Sequence, residues 1–246
     1  MKTYSVITIC LDCETTIRKT IDSIMIQQSL PKQYIFVVGH SNDDSYNIIL
    51  SYKEFIKNKG VEFLLILQKK NKKECGIPSA WNMGIDKVSG DIVAILNADD
   101  YYPSEFLMTK VINRFSADNN IFALSGVTRY YNNTTKIYKN RSKRLFPILN
   151  PINHPATFIS IEVYKKIGTY DTKYSVSSDY DFLYRMHINK YNHIIDNTIV
   201  VERKPNGFAD NNKLLARNEA FKIASKYFHN KVLLYFALFV RVIFNR

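Results

Sequence analysis

The sequence predicts an α/β fold built on a doubly wound, mostly parallel sheet, and three observations carry that prediction. Short apolar, β-branched runs bounded by turn residues recur through the first hundred residues, as expected of strands buried on both faces of a parallel sheet. Stretches of helical period separate them, giving the alternation β-α-β-α-β-α-β. Polar and acidic clusters follow the runs directly, at the carboxyl ends of strands, where open α/β sheets bind ligands. A small antiparallel element is expected in the second half, and an amphipathic helical tail at the C-terminus.

In chain order, residues 6–10 read as the first strand. Thr16 can cap a helix whose apolar face is Ile17, Ile21, Ile24 and Met25, at i, i+4, i+7 and i+8. Residues 34–38 form a second buried strand that runs into Gly39-His40-Ser41-Asn42-Asp43-Asp44-Ser45. Ile48, Ile49, Tyr52, Phe55 and Ile56 mark a second helix closed by Gly60. Residues 61–67 are a third strand and 69–74 a charged loop, and Pro78 opens a short helix over 78–87. The fourth strand is the unbroken apolar run 92–96. Ser89-Gly90 precedes it, and Asn97, Ala98, Asp99 and Asp100 follow.

The second half is more mixed. A helix from Pro103 or Ser104 carries Phe106, Leu107, Val111 and Phe115. Strands are expected over 121–127 and 136–138, around an Asn132-Asn133 turn. Residues 139–153, with Arg141, Lys143, Arg144 and two prolines, read as a mobile basic loop. A strand over 157–160 leads to a helix over 161–167 stopped by Gly168; a helix over 181–191 and a strand over 194–201 follow. The run from 230 to 246 is apolar with basic flanks but too short for a bilayer, which needs about 20 apolar residues. It suits a helix lying on an anionic membrane, a helix packed on the body, or a dimer seam.

Composition sets the outer bounds. With 246 residues and 46% apolar content the chain can bury a substantial core, and 17 Tyr and 15 Phe exclude a disordered chain. The net charge of +12 points to an anionic partner: a phosphorylated substrate, acidic lipid or nucleic acid. No nucleic-acid motif accompanies the charge and the lysines are scattered, so nucleic acid is not expected as a partner. Three cysteines, an odd number, argue against a disulfide framework and for a reducing compartment. Cys10 and Cys13 form a C-x-x-C read as ordinary thiols at a strand end. The chain opens on a strand-like run rather than a signal peptide, so the expected place is the cytoplasm, peripheral on the inner face of the membrane if the tail meets lipid.

The chemistry-bearing pieces fall in one order. Ser5-Val6-Ile7-Thr8-Ile9-Cys10-Leu11-Asp12 ends the first strand and Gly39-His40-Ser41-Asn42-Asp43 the second. Gly76-Ile77-Pro78-Ser79-Ala80-Trp81-Asn82-Met83-Gly84-Ile85 precedes the fourth, which ends in Leu96-Asn97-Ala98-Asp99-Asp100. His154-Pro155-Ala156-Thr157-Phe158 and Ser178-Asp179-Tyr180-Asp181-Phe182-Leu183-Tyr184-Arg185 come later. Over about residues 4–210 this order resembles glycosyltransferase family 2, the inverting enzymes of GT-A fold, in its bacterial polysaccharide branch.

The resemblance implies a domain over 1–210, with a nucleotide-binding half over 1–102 and an acceptor half over 103–210, and a tail over 211–246. It implies that Thr8 and Asp12 lie against the donor's base and ribose, and that Ser41 and Asp43 belong to the nucleoside loop. Asn82 and Gly84 match the loop near the diphosphate. Asn97, Ala98 and Asp99 stand at the Asp-x-Asp motif, with Asp99 as the ligand of Mn²⁺ or Mg²⁺. Asp179 matches the general base, and His154 and Asp181 fall on the acceptor side. The implied partners are a nucleotide-sugar donor and a glycan or lipid-linked acceptor.

Chemistry agrees with this division of labour. A sugar hydroxyl is a poor nucleophile and needs a carboxylate to take its proton, and a leaving diphosphate needs a cation. Local sequence also allows Asp179 and Asp181 to be helix caps, His154 to be a hydrogen-bonded histidine before a turn, Arg185 to pair on its own helix, and Trp81 to be core. Val38 stands where the family usually carries Asp, and Leu11-Asp12 where it carries Tyr-Asn, which leaves the donor base open. A catalytically silent domain of the same fold that binds a glycan or a partner enzyme is the alternative.

Overall fold

The computed structural model describes residues 1–68, 75–130, 137–205, 207–228 and 232. Its spine is one eight-stranded sheet. The strands are β1 (Tyr4–Cys10), β2 (Gln33–Val38), β3 (Glu62–Leu67), β4 (Ile92–Ile95), β5 (Ala123–Tyr130), β6 (Ile137–Tyr138), β7 (Thr157–Ser160) and β8 (His193–Arg203). Their order is β3-β2-β1-β4-β7-β5-β6, with β8 paired to β5. The first four strands are mutually parallel. β7 is antiparallel to β4 and to β5, so β5 runs the same way as β4, and β8 is parallel to β5. The carboxyl ends of β1, β2, β4, β5 and β8 therefore share one edge.

Nine helices among the described residues flank the sheet: α1 (Ile17–Met25), α2 (Ser45–Ser51), α3 (Lys53–Asn58), α4 (Ile77–Ile85), α5 (Leu107–Ala117), α6 (Ile161–Ile167), α7 (Ser178–Ile188), α8 (Phe208–Asn211) and α9 (Lys213–Tyr227). Alternation along the strands sends side chains to opposite faces. Val6, Phe36 and Ala94 pack with Ile17, Ile21 and Ile24 of α1 and Leu107, Met108 and Val111 of α5. Ile7, Ile35 and Val93 pack with Ala80, Trp81 and Ile85 of α4, Phe182 and Leu183 of α7 and Ile223 of α9. Gly84 lets α4 sit directly on β1, since a Cβ there would lie 2.6 Å from Ile7 Cγ2.

Several expectations change. The second helix breaks at Tyr52 into α2 and α3, though Gly60, at φ 77°, ends the unit as expected. Thr16 makes no side-chain cap; its hydroxyl turns back to Cys13 O at 3.3 Å. Cys10 and Cys13 are joined by a disulfide rather than left as thiols. The basic loop is tied down, not loose: Phe146 is fully buried, Lys143 Nζ donates to His193 O at 2.7 Å and Arg141 N donates to Pro151 O at 2.7 Å. The loop 69–74, the Asn132-Asn133 turn and nearly all of the tail segment 230–246 lie outside the described residues. Among the described residues no helix is long and apolar enough to cross a membrane. The last described helix, α9, packs on α7.

Candidate active site

The shared carboxyl edge collects the polar residues that follow the strands. At its β1–β2 side two loops are stitched together. Asp12, at φ 49°, donates its N–H to Ser41 Oγ at 3.0 Å, and its Oδ1 accepts Asn42 N at 2.7 Å. Asp43 Oδ2 accepts Glu14 N at 2.9 Å, and Asp43 Oδ1 accepts the Ser45 hydroxyl. Desolvation of Asp43 is outweighed by the Ser45 and Glu14 bonds, which hold its carboxyl below the usual range. Cys13 N donates to Ser45 Oγ at 2.8 Å, and with the disulfide this fixes the entry to α1. Asp12, Ser41 and Asp43 thus form one preorganised, polar cradle. Val38, the last residue of β2, is buried beneath it and supplies no charge.

At the centre of the edge the chain leaves β4 in a tight acidic turn, with Asp100 N donating to Asn97 O at 3.0 Å. Asp100 is buried and Asp99 half-buried. Burial pushes the Asp99 carboxyl up, against the pull of the Lys204 and Arg203 charges. Burial and the neighbouring Asp99 charge push Asp100 up further. Asn97 Oδ1 is buried without a hydrogen-bond partner. Lys204 and Arg203 stand here because Tyr101 and Glu202 exchange two backbone bonds of 3.0 Å, clamping the turn to the end of β8. Sequence reasoning missed this basic pair; its only trace was a Glu202-Arg203-Lys204 run just past an apolar strand.

The third part lies beyond β7. The antiparallel β4–β7 register places the His154–Ala156 turn at the carboxyl end of β4. His154 is buried, stacks on Trp81 with ring centroids 4.5 Å apart and shares a 2.8 Å hydrogen bond with the Tyr170 hydroxyl. Burial pushes its imidazole down to about 4. Asn82 holds the Tyr170 backbone from both sides: its Nδ2 donates to Tyr170 O at 2.8 Å and its Oδ1 accepts Tyr170 N at 2.9 Å. Next comes Asp179 in the first turn of α7. That helix hands the chain to the amino end of β8, so it begins on the carboxyl edge. Asn150 Nδ2 donates to Asp179 Oδ2 at 2.9 Å. Burial, partly offset by the N–H groups of Tyr180 and Asp179 and by Asn150, pushes this carboxyl up to about 6.

The structure thus groups Asp12, Ser41 and Asp43, sets Asn97, Asp99 and Asp100 in the central turn, and puts Asp179 at the head of α7. It engages other expected site residues in the fold itself. Thr8 is fully buried, its hydroxyl 3.1 Å from that of Tyr34, because it points into the sheet core. Gly84 is a packing contact on Ile7. Ala98 is a core residue. Asp181 is fully buried and taken up by Arg185 at 2.8 Å, Lys226 at 3.4 Å and the Tyr227 hydroxyl at 2.8 Å. The Asn82 amide serves Tyr170. Neither Asp179 nor Asp181 caps α7, whose N-cap is Ser177. Trp81 is core, and Arg185 pairs on its own helix, as the sequence allows.

The central turn fits a hard divalent cation. It offers carboxylate and amide oxygens, including one buried oxygen that nothing else satisfies. Mg²⁺ and Mn²⁺ sites of this kind take one or two carboxylates from protein and the rest from substrate phosphates. Among the described residues no group of three or more His, Cys, Asp or Glu is placed to hold a metal ion by itself.

Comparison with known proteins agrees with the geometry. The profile of glycosyl transferase family 2 matches residues 5–190. An uncharacterised glycosyltransferase of Rickettsia typhi is 26% identical over 185 residues, covering 68% of this chain and 53% of the relative. One from Methanocaldococcus jannaschii is 27% identical over 225 residues, covering 87% and 73%. The chain spans about half the length of the rickettsial relative. Among solved structures, a mannosyltransferase from Pyrobaculum calidifontis in complex with GDP-Man and Mn²⁺ superposes with a TM-score of 0.71 at 17% identity, over 92% of this chain and 64% of that one. TarS of S. aureus in complex with UDP-GlcNAc gives 0.67 at 14%, over 92% and 71%. The shared architecture is the GT-A fold.

Proposed function

The chain belongs to glycosyltransferase family 2, and we propose that it moves a sugar from a nucleotide diphosphate donor to an acceptor hydroxyl, with inversion at the anomeric carbon and Asp179 as general base. The observation that carries this reading is the state of Asp179. Its carboxyl stands at the head of α7 on the ligand-binding edge, oriented by Asn150 and pushed up to about 6. A carboxylate in that range is ionised at neutral pH, yet more basic than an exposed one, which suits proton abstraction from a sugar hydroxyl as attack develops.

The other groups take complementary roles. Asp12, Ser41 and Asp43 cradle the nucleoside. Asp99, with the Asn97 oxygen beside it, would hold Mn²⁺ or Mg²⁺. When bound, such a cation stabilises charge on a departing diphosphate. Lys204 and Arg203 add positive charge on the same side. With the base on one flank of the sugar and the leaving group on the other, a single displacement inverts the anomeric carbon. His154 stays neutral and braces Tyr170 rather than exchanging protons. The solved neighbours were captured with UDP-GlcNAc and with GDP-Man and Mn²⁺, which supports a nucleotide-sugar donor, a UDP-sugar being the first choice. A glycan or lipid-linked acceptor of a bacterial surface polymer, met at the inner face of the membrane, is the acceptor side of this proposal.

The test is a panel of UDP-, GDP- and dTDP-sugars with Mn²⁺, read by mass spectrometry of released nucleotide. The expected result is turnover by wild type. Asp179→Asn and Asp99→Ala should each lose at least about a hundredfold in kcat. Turnover surviving Asp179→Asn removes the base assignment. Val38, buried where a base-recognising carboxylate is usual, favours a second reading: a silent domain of the same fold. Thermal-shift titration separates the two, because a silent domain is stabilised by none of these nucleotides with Mn²⁺.

A further inference from the structure

We propose that Glu219, on α9 and 40 residues after the base in sequence, is the positioning residue that fixes where Asp179 stands. The proposal rests on Asp179 being the base, and its own observations are independent of that reading. Glu219 is almost fully buried, and its carboxylate takes four hydrogen bonds from the three residues that lead into α7. Oε1 accepts Ser175 N at 2.8 Å and Ser175 Oγ at 2.9 Å. Oε2 accepts Val176 N at 2.9 Å and Ser177 N at 2.8 Å. Ser177 Oγ adds a 3.1 Å bond to Ala216 O of the same α9.

The N-cap Ser177 offers no side-chain cap to α7; its own N–H and those of the two residues before it are met by a carboxylate from another helix. Charge-assisted bonds to backbone N–H are about twice as strong as neutral ones, and three of them, with a fourth bond from the Ser175 hydroxyl, converge two to four residues before Asp179. One helical turn further on, α9 grips α7 again, as Lys226 and Tyr227 bond Asp181. Asp179 lies between the two grips. A carboxylate that must meet a substrate proton within hydrogen-bond reach tolerates little displacement, and an error of about 1 Å can cost a hundredfold in rate.

The position also has an electrostatic signature. Glu219 faces Asp179 from α9, Tyr170 faces it from the α6–α7 loop, and Asn150 is its neutral partner. Asp181 is bound by Arg185, Lys226 and the Tyr227 hydroxyl, one carboxylate against two cations. Glu219 therefore stands as a like charge beside Asp179 and adds to the upward push on its carboxyl. Removing that charge lowers the affinity of Asp179 for its proton, which a merely structural brace would not do.

The experiment uses the full chain labelled with ¹³C at the aspartate carboxyl, with Asp179→Asn to assign the resonance. Asp179 is titrated in wild type, Glu219→Gln, Glu219→Asp and Ser175→Ala. In parallel, nucleotide release from UDP-glucose, UDP-N-acetylglucosamine and GDP-mannose with Mn²⁺ gives kcat and KM, and circular dichroism reports folding. Glu219→Gln is expected to titrate at lower pH than wild type and to lose about tenfold or more in kcat, with KM for donor within about twofold. Glu219→Asp keeps the charge, so its titration stays near wild type while its shorter reach lowers kcat. Ser175→Ala, missing one of the four bonds, loses several-fold in kcat. If Glu219→Gln does not fold, Glu219→Asp and Ser175→Ala decide by the same kcat criterion. A folded Glu219→Gln that titrates with wild type, or folded variants with wild-type kcat, overturn the proposal. Full activity of Asp179→Asn instead removes the base assignment and leaves the titration to judge Glu219 alone.

Discussion

Asp179 shows at the scale of one residue how a site costs stability. Its carboxyl is held up to about 6 in the fold against an ordinary value of 3.8. Below both values it is protonated in folded and unfolded chains alike and has no effect. As pH rises between them the unfolded chain ionises first, so this group progressively destabilises the fold, and the full deficit stands above the folded value. Asp179→Asn should therefore melt higher than wild type near neutral pH and no higher well below the unfolded value, at about pH 3, as scanning calorimetry at the two pH values would register. His154 makes the opposite case: pushed down to about 4 by burial, its ring should remain neutral across the physiological range, and its proton resonances should not titrate between about pH 5 and 8. The sequence marked both residues but could not separate a base from a cap, because the local pattern around Asp179 allows either. The structure gives the N-cap position to Ser177, and burial and the Asn150 contact, supplied by a loop 29 residues away, support the proposed base.

At the scale of elements, periodicity located most strands and helices, since strands buried on both faces and amphipathic helices write their environment into local pattern. It failed where the deciding contact comes from elsewhere. The loop 139–153 carries charge and prolines and reads as loose, yet Phe146 and Lys143 fasten it to α7 and β8. The C-x-x-C reads as two thiols because spacing does not reveal bonding. Gly84 matched a diphosphate-loop motif but serves helix-to-sheet packing. Gly84→Ala should cost about 1–3 kcal/mol through the clash with Ile7, more than the ~1 kcal/mol that Ala gains over Gly in a helix. A lower denaturant midpoint at unchanged slope is the expected reading. Gly126→Ala should be worse, as its Cβ would meet the Ile199 backbone oxygen at 2.3 Å, and backbone in a sheet cannot swing aside.

At the scale of the whole molecule, the sheet order brings four separate loops to one edge. Strand β7, reversed between β4 and β5, turns the second half of the chain so that β8 and α7 both present their functional ends on the side where β1, β2 and β4 finish. The net charge of +12 suits the anionic donor proposed, and raising salt should weaken donor binding, read as a rise in KM. The most direct test of the account is the pH dependence of kcat/KM for nucleotide release in wild type and Asp179→Asn. The expected wild-type rate falls on the acid side with a midpoint near the raised Asp179 value and is lost in the variant at every pH. A variant that keeps the wild-type rate and acid limb would contradict it.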